Sequence, residues 1–169
     1  MRILQMCKKF PYPLKDGESI AVTYLAKALN ELGCDVTLLA MNTSKHYFDT
    51  NNLPDSFNHY ESIYFTEIDN RINSVSAFLN LFSSDSYHIS RFVSKSFEKV
   101  LIQLLQSREF DIIQLESLYL APYINVIRQY SNARLCMRAH NVEFEIWERI
   151  AKNTTNPVKK WYVDHLATK

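Results

Sequence analysis

The sequence opens with MRILQMC (residues 1–7), and DVTLLA (residues 35–40) has the same apolar character. Short apolar runs of this kind are typical of strands buried on both faces of a parallel sheet. Between them, apolar residues recur at helical spacing after Ser19, which we interpret as the helix N-cap, and Gly33 is placed to end the helix. A strand, loop, helix and strand of this length form a right-handed crossover, so the sheet is predicted to be parallel here.

The same alternation continues along the chain, after a polar, Asn-rich stretch over 41–60 that is interpreted as a long loop. Further strands are predicted over 63–65, 111–115 and 133–139, and further helices over 93–107, around 120–127 and over 143–152. Weaker helical patterns cover 75–82 and 158–167. Alternating strands and helices predict a Rossmann-like, doubly wound α/β domain with three layers, in which ligands bind at the carboxyl ends of the strands.

The apolar residues of two predicted helices also predict which helix faces are buried. The first face consists of Ala21, Leu25, Ala28, Leu29 and Leu32. The second consists of Val93, Phe97, Val100, Leu101 and Leu104.

Length and composition limit the classes of protein to consider. A chain of 169 residues has the size of one α/β domain, and a composition of 47% hydrophobic and 22% charged residues is typical of a packed core. The net charge of +1 argues against nucleic acid as a partner. The apolar runs are too short for a membrane span or a secretory signal, so we expect a cytoplasmic protein. Cys7, Cys34 and Cys136 form no CxxC pair and are expected to be buried, unpaired thiols.

Asp16 and Gly17 lie where the loop after the first strand meets a helix. Free backbone amides and the helix dipole favour an anion such as a phosphate at this position, and Gly17 lets the backbone approach it closely. The alternative, a glycine needed only for a turn, stays open. No GxGxxG motif is present, which argues against a dinucleotide site.

Glu116, Ser117 and Tyr119 follow the fourth predicted strand and are candidates for binding a substrate. Each also has a purely structural alternative. Glu116 could satisfy backbone amides at a helix start, Ser117 could be a cap, and Tyr119 could belong to the core rather than stack on a ligand.

Arg138, His140 and Asn141 follow the fifth predicted strand. The imidazole of His140 can exchange a hydrogen bond with a substrate hydroxyl, although a histidine here could equally be a loop residue. Arg138 could bind a ligand or pair with an inner carboxylate such as Glu116. Asn141 is interpreted as the N-cap of the next helix. The other histidines have no partners at metal-ligand spacing, so no metal site is predicted.

Five segments, in this order, resemble the family 4 glycosyltransferases: MRILQM, PYPLKDGESI, LAKALNELGCDVTLL, FDIIQLESLYLA and RAHNVEFEIWER. The segment that contains Gly17 carries most of the resemblance, and residues 41–90 match poorly. The resemblance implies a GT-B enzyme, in which two Rossmann-like domains face a cleft and transfer retains the anomeric configuration without a metal. Residues 1–169 would then be the amino-terminal, acceptor-side domain, and the donor-binding domain would lie outside this chain.

The resemblance also implies roles for particular residues and partners. It places Gly17 and Asp16 near the donor phosphates and the acceptor, although Asp16 stands where many members have a first glycine. It gives His140 a positioning role beside the transferred sugar. The partners would be a nucleotide-sugar donor and a small-molecule, polysaccharide or lipid-linked acceptor, the last with peripheral contact at the inner face of the membrane. No cofactor is implied.

Without the donor-binding domain, we expect this chain alone to be inactive, because the cationic groups that stabilise the departing diphosphate are missing. Two other functions remain alternatives. One is a non-catalytic α/β module that binds a phosphorylated small molecule or a protein. The other, a nicotinamide or flavin oxidoreductase domain, is disfavoured by the missing glycine motif.

Overall fold

Five strands form one parallel sheet in the part of the chain that the computed structural model describes, residues 1–71, 87–141, 143–157 and 160–161. They are β1 (Arg2–Cys7), β2 (Asp35–Thr43), β3 (Ser62–Ile68), β4 (Ile112–Leu115) and β5 (Arg134–Met137). Their order is β3-β2-β1-β4-β5, and every neighbouring pair is parallel. The predicted Rossmann-like sheet is therefore confirmed.

Helices cover both faces of this sheet. They are α1 (Gly17–Glu31), α2 (Tyr87–Ser90), α3 (Lys95–Ser107), α4 (Ile124–Tyr130) and α5 (Glu143–Lys152), with 3-10 turns at Ser44–His46, Thr50–Asn52 and Leu118–Tyr123. Helix α1 packs on one face, and α3 and α4 pack on the other, which gives three layers. Among the described helices, none combines the length and the apolar character that crossing a bilayer demands.

Strand β1 shows why the central strands are mostly apolar. Its side chains alternate between the two faces of the sheet, as in any strand. Leu4 and Met6 pack in the layer of α3 and α4, whereas Ile3 and Cys7 pack in the layer of α1. Because both faces are covered, no position in the middle of the strand faces water.

The strand order reverses at β1, with β2 and β3 on one side of it and β4 and β5 on the other. The crossovers to the two sides pack on opposite faces of the sheet, so the loops after β1 and β4 separate. In open α/β sheets this separation creates a crevice at the carboxyl edge where ligands bind.

Helix α1 is capped at both ends, but its N-cap is Asp16 and not Ser19. Asp16 Oδ1 accepts a hydrogen bond of 2.9 Å from the Ser19 N–H. The prediction was one turn late because aspartate and serine have the same capping chemistry. At the other end Gly33 has a φ of 78°, and the N–H groups of Gly33 and Cys34 donate to carbonyls of the last turn. The predicted stop at Gly33 is confirmed.

The buried face of α1 differs from the predicted one. Leu32 is 79% exposed and Ala28 is exposed, while the helix buries Ser19, Val22, Thr23 and Ala26. Small side chains bring the helix close to the sheet, and the Thr23 hydroxyl donates to the Pro11 carbonyl at 3.1 Å. Apolar periodicity alone misses this face because satisfied hydroxyls can be buried at little cost.

The second predicted face is largely confirmed. Helix α3 begins after its N-cap, Ser94, and buries Phe97, Leu101 and Leu104. Val93 precedes the helix and is 52% exposed, so including it was wrong.

The segment predicted as a polar loop over 41–60 is more structured than expected. Strand β2 continues to Thr43, and beyond it Phe48 and Phe57 pack around Phe10 with ring-centroid distances of 5.8 and 6.3 Å. Strand β3 is longer than the predicted 63–65, and β5 is shorter than the predicted 133–139. The predicted helix over 75–82 lies outside the described residues, as does all of 158–167 except Lys160 and Trp161, which are helical.

His59, which precedes β3, is a buried imidazole that is 4% exposed and packs against Phe57 at 4.7 Å between ring centroids. Neither ring nitrogen has a hydrogen-bond partner within the described residues. Burial lowers the pKa of His59, and the positive charge of Lys27 lowers it further. The neutral imidazole is therefore the form that the folded chain accommodates.

We expect Leu101→Ala to lower the free energy of unfolding by about 2–5 kcal/mol, because it leaves a cavity in the core. Leu32→Ala removes the same atoms from an exposed position and should change stability by less than about 0.5 kcal/mol. Urea denaturation of both variants measures the difference, and equal losses would contradict the burial described above.

We expect His59→Phe to reduce the loss of stability on acidification. Because the pKa of His59 is lower in the folded chain than in the unfolded chain, the unfolded chain takes up the proton more readily as the pH falls below about 6.5. This contribution to stability is present above that pH and is lost below it. Urea denaturation at about pH 7 and about pH 5 should show a smaller change for His59→Phe than for the unchanged chain. An unchanged pH dependence would exclude His59 as its source.

Candidate functional site

Glu116, the residue after β4, lies at the centre of a buried hydrogen-bond network. Its side chain is 0% exposed, and its N–H donates to the Met6 carbonyl at 2.9 Å, which ties it to β1. Oε1 of Glu116 accepts hydrogen bonds of 2.6 Å from both Gln5 Nε2 and Gln114 Nε2. Gln5 and Gln114 are register partners on β1 and β4, so the pairing of these strands brings both amides to the same carboxylate.

The second oxygen of Glu116 faces the residues that follow β5. Oε2 lies 2.9 Å from His140 Nε2 and 2.9 Å from Arg138 Nε. A carboxylate oxygen only accepts, so the contact with His140 places a proton on Nε2. The contact with Arg138 is an ion pair and not a hydrogen bond, because Nε and Nη2 of Arg138 are buried without hydrogen-bond partners in the described part of the chain.

The network continues from Gln5 to the loop before β3. The Tyr60 hydroxyl donates to Gln5 Oε1 at 2.9 Å. Burial raises the pKa of Tyr60 well above its ordinary value, and the nearby Cys7 and Glu116 raise it further, so the phenol stays protonated as a donor. Burial, followed by the charge of Glu116, also raises the pKa of the Cys7 thiol, which makes Cys7 a poor nucleophile.

Charged residues also gather where the loop after β1 meets α1. Lys9 Nζ lies 2.6 Å from Asp16 Oδ2, and Lys8 Nζ lies 3.4 Å from Glu18 Oε2. Partial burial alone would raise the pKa of Asp16, but the hydrogen bonds from Lys9 and from the Ser19 N–H hold it below its ordinary value. Asp16 therefore already places a negative charge at the helix start, and a phosphate bound there would compete with it for the Ser19 N–H.

Gly17 is the first residue of α1 and is exposed. Its φ is not positive, and a Cβ added to it would meet no atom within 4 Å. The alternative in which Gly17 is needed only for a turn is therefore not supported, because the backbone there suits any residue. The space beside Gly17 is open.

Ser117 and Tyr119 have structural roles. Ser117 Oγ accepts a hydrogen bond of 3.3 Å from the Tyr119 N–H and caps the 3-10 turn Leu118–Tyr123, as its structural alternative predicted. The half-buried ring of Tyr119 packs against Phe92 at 4.8 Å between ring centroids, and Lys8 Nζ lies 4.6 Å from its centroid.

Asn141 is exposed and lies two residues before α5. The residue directly before α5 lies outside the described part of the chain, so the capping role of Asn141 stays a prediction. Cys136 on β5 is exposed, whereas Cys7 and Cys34 are buried, so the prediction of buried thiols is wrong for Cys136. Within the described residues, no group of His, Cys, Asp and Glu side chains has a geometry that could hold a metal ion.

The structure thus brings Glu116, Arg138 and His140 into direct contact and places Gly17 on the same edge, since the carboxyl ends of parallel strands lie together. The expected pairing of Arg138 with Glu116 is confirmed. Sequence reasoning missed Gln5, Gln114 and Tyr60. The signal for Gln5 was available: an amide inside an otherwise apolar buried run requires a buried partner.

Fold and site together define a Rossmann-like α/β domain with a charged carboxyl edge. No protein-family model matches this sequence, and no curated protein compared with it matches either. The resemblance to the family 4 glycosyltransferases therefore stays a hypothesis.

We expect Glu116→Gln to lower the free energy of unfolding by about 1–3 kcal/mol, because an amide cannot accept at both of its ends and would turn an NH₂ group towards Arg138. Glu109→Gln is the matched control, since Glu109 is 92% exposed and pairs with Arg2 at 3.5 Å, and its stability should be unchanged.

A double-mutant cycle of Glu116→Gln with His140→Ala should give a coupling energy of about 0.5–3 kcal/mol, because the two side chains are in direct contact. Chemical denaturation of the four proteins measures it. Additive effects would show that the contact contributes nothing to the position of His140.

Proposed function

We propose that this chain is the acceptor-side half of a retaining glycosyltransferase of the GT-B fold. The observation that carries the proposal is the position of His140. A buried carboxylate holds this imidazole at the carboxyl edge of a parallel sheet, the same edge that carries the open helix start at Gly17. The resemblance of five ordered segments to family 4 enzymes supports the same function, since two of them contain Gly17 and His140.

In the proposed reaction, the bond between the anomeric carbon and the donor diphosphate breaks, and the acceptor oxygen bonds to that carbon. The acceptor proton leaves with the departing diphosphate. His140 positions a sugar hydroxyl and does not abstract this proton. Its side chain is 12% exposed, so the ring is held by Glu116 on one side while part of it stays accessible. A ring that is already fixed loses little entropy when it meets the transition state.

Glu116 is a positioning residue in this proposal, although the sequence suggested contact with substrate. Both oxygens of Glu116 already face protein groups, so neither is left for a ligand. Ser117 is 4% exposed and caps a turn, so it too acts on the backbone. Gly17, Asp16, Tyr119, Arg138 and Asn141 remain candidates for contact with donor or acceptor.

The open space beside Gly17 supports an approach of the donor diphosphate towards the start of α1. The positive end of the helix favours an anion there, and Lys9 could exchange its contact with Asp16 for a phosphate oxygen. A nucleotide-sugar is the partner that the proposal requires, with most of its contacts in a second domain. A lipid-linked acceptor would bring the enzyme to the inner face of the membrane.

The test uses a protein that joins this chain to a donor-binding domain. We expect His140→Ala to lower kcat by at least about tenfold, since the ring contributes to positioning, while circular dichroism shows that the protein stays folded. Cys136→Ala, an exposed change on the preceding strand, is the control and should leave kcat unchanged. Full activity of His140→Ala would remove His140 from the site, and absence of any sugar transfer by the unchanged two-domain protein would overturn the proposal.

A second candidate, a non-catalytic module that binds a phosphorylated ligand, is favoured by the cationic side chains around the start of α1. The same experiment separates the two functions. Binding of a phosphorylated ligand by the two-domain protein, without transfer to any acceptor, would support the module and not the enzyme.

A further inference from the structure

A second concave site lies on the same edge of the sheet, away from His140. It is a cavity of about 700 Å³ formed by residues that follow β1, β2 and β3 and by the loops around Phe92 and Tyr119. This volume falls in the range of sites for small organic ligands, roughly 300–1,000 Å³. Its charged lining residues are Lys8, Lys9, Lys45, Arg71, Arg91 and Glu18. We call it the basic cavity.

Cations outnumber carboxylates in the lining of the basic cavity. Lys8 and Lys9 both contact Glu18, at 3.4 and 3.8 Å, and Lys9 also pairs with Asp16 at 2.6 Å. Lys45 is exposed and has no ion pair with any residue that the structure describes. Burial lowers the pKa of the lining residue His46, and the charges of Lys9 and Lys45 lower it further, as expected in a positive field. The cavity therefore favours an anion.

A buried hydroxyl in the lining of the cavity has no partner. Thr43, at the carboxyl end of β2, is 0% exposed, and its Oγ1 has no hydrogen-bond partner among the residues described. Buried polar atoms without a partner are rare in folded proteins, and a ligand oxygen would satisfy this one. The neighbouring Ser44 hydroxyl differs, since it lies 3.1 Å from Asp69 Oδ1 and 3.2 Å from Asn70 Oδ1.

One wall of the basic cavity is aromatic. The rings of Phe92 and Tyr119 pack at 4.8 Å between centroids, and Lys8 Nζ lies over the Tyr119 ring. An aromatic face beside cationic groups suits a ligand with an apolar or sugar surface next to a phosphate. The cavity is also larger than a bare phosphate, which leaves room for the rest of a phosphorylated molecule.

We propose that the basic cavity binds the phosphate group of a phosphorylated organic molecule, with Lys45 and Arg71 as direct contacts and Thr43 as a hydroxyl donor. Arg71 would exchange part of its pairing with Asp69 for the phosphate. This inference stands without sugar transfer, because it uses neither His140 nor Glu116. Joined to the proposed function, it makes the acceptor a phosphate-bearing molecule, either soluble or a lipid headgroup.

The experiment measures binding of inorganic pyrophosphate to the 169-residue chain by titration calorimetry. A second arm measures co-sedimentation with vesicles of phosphatidylcholine, with and without phosphatidylglycerol. The double variant Lys45→Gln/Arg71→Gln removes two cations from the cavity. The matched control is Lys27→Gln/Lys99→Gln, which makes the same change of charge at exposed positions outside the cavity. Glu18→Gln removes the carboxylate that pairs with Lys8 and also lies 3.8 Å from Lys9.

We expect Lys45→Gln/Arg71→Gln to weaken binding at least about tenfold, because charge-assisted contacts to phosphate are lost. Glu18→Gln should tighten binding, which unfolding could not do, and the control should leave it unchanged. Pyrophosphate binding that follows this pattern indicates that the ligand is a soluble phosphorylated molecule. The same pattern with anionic vesicles alone indicates that the ligand is a lipid headgroup. Either result supports phosphate binding in the basic cavity.

Two results would overturn the inference: no binding in either arm, or equal weakening by the control, which would show nonspecific attraction. The two proposals are tested separately, because His140→Ala should lower sugar transfer and leave pyrophosphate binding intact. Failure of the proposed enzyme function would therefore not overturn phosphate binding in the basic cavity.

Discussion

The buried carboxylate of Glu116 is the constraint on which the candidate site depends. Burying a charge without partners costs far more than one domain can offset, so Glu116 must be surrounded by donors. Gln5 and Gln114 supply them from β1 and β4, His140 supplies another from the residues after β5, and Arg138 adds a positive charge. The same contacts that make the charge tolerable hold His140 in place. A one-residue slip of β1 against β4 would turn one of the two amides to the other face of the sheet and break the network.

The carboxyl edge carries two different chemical environments because the strand order reverses at β1. On the side of β4 and β5, the His140 group is a compact network around one negative charge. On the side of β2 and β3, the basic cavity is open and positively charged. The loop after β1 belongs to both, since Lys8 reaches across to Tyr119 while Lys9 pairs with the cap of α1. A molecule with a phosphate and a sugar hydroxyl could meet both environments along this edge.

Polar residues account for most differences between expectation and structure. The face of α1 was misplaced because Ser19 and Thr23 are buried with satisfied hydroxyls, while Leu32 lies in solvent. The extension of β2 to Thr43 was missed for the same reason, since polar side chains suggest a loop. Hydrophobic periodicity reports burial only where burial and apolar character coincide, as they do at Phe97 and Leu101.

By itself, the sequence determined the local features of this protein: the apolar runs of the parallel strands, the helix stop at Gly33 and the placement of candidate residues after strands. These depend on neighbours along the chain, whose spacing is visible in the sequence. Only the tertiary structure decided that Gln5 and Glu116, 111 positions apart, share a hydrogen bond, and that Lys8, Lys45 and Arg71 line one cavity. Such contacts follow from the order in which strands join the sheet, and that order is a balance of energies over the whole chain, which no local pattern records.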